Sequence, residues 1–82
     1  MAATVLRVLN AFPAGQVTPP VTTPEPAGRP TVTVDVRWED GRSGRVVGTA
    51  VKWTTEAVLV AFSGPDGLGR REWFRPEDVR ST

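Results

Sequence analysis

Residues 36–48, VRWEDGRSGRVVG, decide how this chain folds. Upstream of the Asp40-Gly41 pair, Val32, Val34, Val36 and Trp38 alternate with Thr31, Thr33, Asp35, Arg37 and Glu39. That period of two marks a strand with one face buried. Asp-Gly between two such runs supplies a turn, and the loop length sets which residues meet across it. A two-residue loop would put Arg45 opposite Val36 on the buried face, a costly position for a charge. A three-residue loop with Gly41 left-handed brings Gly44, Val46, Gly48 and Ala50 onto that face instead, and this is the register we expect. Its small residues also let the second strand bend sharply.

Downstream, residues 44–53 and 56–63 read as further strands across a short Thr54-Thr55 turn. The third run is apolar on both faces, with Val58, Val60 and Phe62 on one and Ala57, Leu59 and Ala61 on the other, as a central strand requires. SGPDGLG at 63–69 is a dense turn cluster, RREWF at 70–74 a fourth strand, and Pro76-Glu77-Asp78 a single 3₁₀ turn that returns Val79 to the core. The expected fold is therefore mainly β: a small SH3-like barrel of four to five antiparallel strands with a short 3₁₀ turn and a Pro-rich N-terminal arm. Closure of such a barrel removes exposed strand edges.

The chain divides into three parts. In residues 1–12, Val5, Val8, Leu9 and Phe12 have the spacing of one helix face, while TVLRVL has the composition of a strand. This segment is expected to pack on the barrel; a partner-docking or weakly homodimerising arm is the alternative. Residues 13–30 hold six of the eight prolines and only two charged residues, Glu25 and Arg29. They cannot bury enough apolar surface to offset their ordering entropy and read as a linker. No P-x-x-P spacing occurs there to suggest a proline-type ligand. Residues 31–82 are the barrel, small enough to need cover from the arm or from a partner.

Cysteine and histidine are both absent. Disulfides, thiolate metal sites, the usual acid–base shuttle and the sulfur nucleophile are thereby excluded. No run approaches the roughly 18 apolar residues of a membrane span. The first twelve residues lack a basic leading region and Arg7 interrupts their apolar stretch, so neither membrane association nor a signal peptide is expected, and the default location is cytoplasmic. From residue 30 onward eight cations balance eight anions. A neutral domain lacks the general field of a non-specific nucleic-acid binder, unless the fold polarises it.

Residues 34–80 resemble a Tudor domain of the SH3-like class. The matching features are Trp38-Glu39-Asp40-Gly41, the Gly-Val-Val run after it, Val60-Ala61-Phe62, Asp66-Gly67 and Pro76-Glu77-Asp78-Val79. Short bacterial SH3-like domains with a Val-Arg-Trp-Glu-Asp-Gly stretch are similar too. The Tudor resemblance implies a cage of aromatic rings for a methylated lysine or arginine, with Trp38 and Phe62 as two walls. The ring expected about six residues beyond the tryptophan is replaced by Gly44, so that cage is incomplete.

Nothing in the sequence suggests an enzyme or a cofactor. Ser43, Ser63 and Ser81 have no local base, and the Glu39-Asp40 and Glu77-Asp78 pairs sit at turns, where acids cap and solvate. Three tryptophans are more than so small a barrel can enclose. Trp38 is expected in the core, and Trp53, which ends a strand beside a turn, is a candidate for exposure. Trp73 and Phe74 are neighbours on a strand and must point to opposite faces. Arg71 shares a face with Trp73, and Arg70 and Arg75 flank it. Exposed tryptophan beside arginine is the composition of a protein interface. We therefore expect a binding module that recognises another protein through Trp73, Arg71, Arg70, Arg75 and Trp53. Nucleic-acid binding through the same residues is the alternative.

Overall fold

The structure, a computed structural model, describes residues 6–82. Five strands form one antiparallel sheet: β1 (Thr31–Arg37), β2 (Ser43–Trp53), β3 (Val58–Ser63), β4 (Gly69–Phe74) and β5 (Val79–Ser81), in the order β4-β3-β2-β1-β5. Between β4 and β5 lies a 3₁₀ turn, Pro76–Asp78. Among the described residues no helix is long and apolar enough to cross a membrane.

The β1–β2 hairpin takes the three-residue register, pairing Val36 with Gly44, Val34 with Val46 and Val32 with Gly48. Gly41 has φ +90°, the left-handed position. The Asp40 carboxylate accepts hydrogen bonds from the Arg42 N–H at 3.0 Å and from Arg42 Nε at 2.6 Å. Those bonds, the backbone one first, hold its carboxyl below the usual carboxylate range.

Gly48 is where β2 passes closest to β3. A Cβ there would stand 2.6 Å from the Ala61 carbonyl oxygen and 2.8 Å from a Val60 methyl. Backbone oxygen cannot yield as a flexible side chain can, so only glycine fits here without a shift of the neighbouring strand. Gly48→Ala is expected to cost about 1–3 kcal/mol by overpacking. Thermal unfolding followed by circular dichroism should show a clear drop in Tm. Gly44→Ala, with nothing within 4 Å of its would-be Cβ, serves as the silent control.

A bulge follows. The β2–β3 register slips between Ala50 and Lys52, so Ala50 and Val51 are both buried and the facing of β2 reverses beyond them. Trp53 thereby turns to the core side, with Val58, while Lys52 pairs with Leu59 on the other face. The inner face gathers Val32, Val34, Val36, Trp38, Ala50, Val60, Phe62 and Phe74 into one core. Trp38, Phe62 and Phe74 form a tilted aromatic row with centroids 6.2 and 5.9 Å apart, a favoured edge-on arrangement.

The sheet does not close by strand pairing, contrary to the expected barrel. β5 is three residues long and pairs only with Val32–Val34, and β4 and β5 are not hydrogen-bonded neighbours. Residues 7–12 instead pair with β4 and with the stretch of β1 that β5 leaves open. They do so as two isolated bridges, Val8 with Trp38 and Ala11 with Phe74, joined by a turn at Leu9–Asn10 rather than as a helix or a named strand. Leu9 N–H donates to the Arg37 carbonyl (2.7 Å), and Glu39 N–H to that of Arg7 (2.9 Å). Asn10 satisfies the edge of β1 where β5 has ended: its Oδ1 accepts from Arg37 N–H and its Nδ2 donates to the Asp35 carbonyl, both at 2.8 Å. Two residues on, Phe12 N–H donates to the Trp73 carbonyl of β4 at 2.7 Å. Val8 is partly buried against the core while Leu9, in the turn, is 65% exposed. Of the helix-spaced set, Val5 lies outside the described residues.

Within the Pro-rich tract, two short 3₁₀ turns occupy Ala14–Gln16 and Pro26–Gly28. Between them Thr22 exchanges two backbone hydrogen bonds with Trp53, at 2.7 and 3.0 Å. The Pro30 carbonyl accepts from Ala50 N–H at 2.9 Å.

Candidate binding face

Alternation along the strands assigns each side chain to the core or to the outer face. The outer face carries Thr31, Thr33, Asp35 and Arg37 from β1, Arg45, Val47, Thr49 and Lys52 from β2, Leu59 and Ala61 from β3, Arg71 and Trp73 from β4, and Arg80 from β5. Two rows matter. Lys52, Leu59 and Trp73 lie side by side across three strands, and the Thr49–Ala61–Arg71 row is next to them. Leu59 is buried in the middle of its row, flanked by a half-buried Trp73. Val47 is 66% exposed.

Trp73 and Phe74 do point apart: Phe74 is wholly buried and Trp73 lies outside with the exposed Arg71 one row away. The other residues named from sequence are dispersed. Arg70 is on the core side, its side chain only 12% exposed. It donates to the Leu6 carbonyl at 2.6 Å and to Asp66 at 2.9 Å, with its guanidinium 5.0 Å from the Trp38 ring centroid. Arg70 thus ties the arm and the 64–68 loop to the core and does not reach the Trp73 face. Arg75 sits past the end of β4 with its guanidinium over the Phe12 ring at 5.6 Å. Trp53 packs against the core and is bonded to Thr22.

The two cage positions, Trp38 and Phe62, are buried, 5% and 6% exposed. The place where a bound cation would lie over Trp38 is taken by Arg70. Beside Gly44, where the third wall is missing, a cleft of about 610 Å³ opens between Asn10, Val36 and Asp78. It is rimmed by Arg37, Arg45 and Arg75 as well as by Asp35 and Glu77, so it presents both signs of charge. Among the described residues no three His, Cys, Asp or Glu side chains gather to hold a metal ion.

The fold separates charges that the sequence leaves balanced. Five cations, Arg37, Arg45, Lys52, Arg71 and Arg80, stand on the outer face with one carboxylate, Asp35. Asp35 is itself between Arg45 at 3.3 Å and Arg80 at 3.9 Å. Of the other carboxylates from residue 30 onward, Glu72 is on the opposite face of β4, and Glu39, Asp40, Glu56, Asp66, Glu77 and Asp78 lie in turns. Composition alone hides this pattern. Lys52 could not be placed on the face from sequence either, because the bulge that reverses β2 leaves no mark in the residue pattern.

The fold and this face define a small, mainly β domain of one antiparallel sheet whose arm covers its edges. Comparison with known protein families, curated proteins and solved structures finds no match.

Proposed function

We propose that this chain is a non-enzymatic binding module, a small adaptor or regulatory protein that recognises another protein through the Trp73/Arg71 face. Its fold is then read as an SH3-like variant in which the arm spans the gap between the two sheet edges. The observation that carries the reading is the opposed placement of Trp73 and Phe74. Phe74, the largest fully buried side chain, adjoins a tryptophan on the outer face beside Leu59, one row from an exposed arginine. Tryptophan and arginine supply large contact area and directional hydrogen bonding, and they dominate interface energetics. The double variant Trp73→Ala/Arg71→Ala tests it. It is expected to keep the wild-type circular dichroism and amide dispersion while losing, in paired pull-downs from the native cell, the proteins that the wild-type chain retains. Identical retention by both chains would remove the site.

Nucleic-acid binding is the second reading, favoured by the five cations on the same face. It predicts retention on a polyanion column that falls steeply with salt and is lost when Arg71 and Lys52 are replaced.

A further inference from the structure

We infer that the outer face takes an acidic segment of a partner protein, with apolar side chains alternating with carboxylates. The inference rests on the reading of the Trp73 face as the binding surface and adds the chemistry of its occupant. Three observations carry it.

The first is charge complementarity. Lys52 and Arg71 lie beside the Leu59–Trp73 pair. Arg45, Arg80 and Arg37 continue the cationic surface along β2, β5 and β1, where Glu77 and Asp78 share a cleft with Arg37 and Arg45. The one carboxylate on the strands of this face, Asp35, is already bridged by Arg45 and Arg80, so the cations nearest Trp73 are Lys52 and Arg71. Arg71 has no carboxylate within ion-pair distance among the described residues, so it is available to a ligand.

The second is the apolar content. The half-buried Trp73 and Ala61 and the exposed Val47 lie among these cations, over the buried Leu59. A cleft of about 630 Å³, lined by Ala61, Ser63, Gly69 and Arg71 among others, opens at one end. This surface offers contact area to side chains, and its single ring gives no succession of stacking platforms for unpaired bases.

The third is extent. β2 runs the length of the face, and its two ends are turns that carry acids: Glu39 and Asp40 at one, Glu56 at the other. An eleven-residue strand spans roughly 35 Å. Arg42 pairs with Asp40 at the first of these turns. A continuous polyphosphate laid along the strands would therefore meet Glu39 there, unpaired among the described residues, and Glu56 at the far end. A short acidic segment fits between them.

The test uses the intact chain and amide chemical shifts, with four probes: a synthetic peptide of alternating glutamate and leucine, its lysine–leucine counterpart, single-stranded oligothymidylate and a DNA duplex. The glutamate–leucine peptide is expected to move the amides of Val47, Lys52, Leu59, Ala61, Arg71 and Trp73, and to bind more tightly than the other three. The charge reversal Arg71→Glu should weaken it by roughly tenfold or more and flatten its salt dependence. Lys52→Glu, on the other side of Trp73, should do the same if one variant folds poorly. Equal or tighter binding of the lysine–leucine peptide, tighter binding of either nucleic acid, or no shift with the acidic peptide would each overturn the inference. The broader reading of the face falls separately, if the alanine double variant retains the same cellular proteins as the wild-type chain.

Discussion

Phe74→Ala is expected to leave the chain largely unfolded at room temperature, while Trp73→Ala, one residue away, leaves it folded. Phe74 is wholly buried and packs on Phe62 at 5.9 Å, at one end of the aromatic row. Truncating a buried phenylalanine costs about 3–5 kcal/mol, through lost burial and the cavity left behind. A single small core supplies about that much in total. Trp73 lies half-buried on the outer face beside Leu59, and its truncation is expected to cost about 1 kcal/mol. Urea unfolding followed by circular dichroism distinguishes the two. A stable Phe74→Ala with an unfolded Trp73→Ala would reverse the two faces of β4 and move the candidate binding face with them.

Removing residues 1–12 is the second large change. Among the described residues, Leu6 and Val8 pack on the core and the polar contacts lie along β4 and the end of β1. Truncation breaks three backbone hydrogen bonds to β4 and the β1 end, both Asn10 bonds to β1, and the Arg70 bond to Leu6. Each such bond contributes about 0.5–1.5 kcal/mol net, and a buried donor left without its acceptor costs more. A loss of about 3 kcal/mol or more is therefore expected. It would be seen as a lower urea midpoint and as self-association through the newly open β1 and β4 edges. Asn10→Ala alone should lose about 1–2 kcal/mol, since two edge groups of β1 lose their partner together. A truncated chain with wild-type stability and a monomeric sedimentation profile would show that the edges need no cover.

Much of this was legible in the residues. The alternation from Val32 to Trp38, the Asp40-Gly41 turn and the cost of burying Arg45 together determine the β1–β2 register, and the structure has it. The opposed facing of Trp73 and Phe74 follows from strand geometry alone. What escaped depended on long-range contacts. Asn10 resembles any loop asparagine until its carboxamide is seen completing the edge of β1, twenty-seven positions away from Arg37. Arg70 looked like a surface arginine beside Arg71, yet adjacent strand residues face opposite ways, and the Trp38 ring, Asp66 and the Leu6 carbonyl together satisfy its guanidinium on the core side. Trp53 was read by its position at a strand end, while the bulge at Val51 sets its facing. Net charge was the least informative quantity, because a balanced total conceals cations on strands and acids in turns.

The arm pairs with β4 and with the open end of β1, sites that would otherwise recruit another chain. Hydrogen exchange of the amides of Leu9, Phe12, Arg37 and Glu39 in the full-length chain tests this most directly. The account predicts that all four are slowed to a degree comparable with the amides paired between β1 and β2. Exchange of these four at the rate of unstructured chain, with the β1–β2 amides protected, would contradict it.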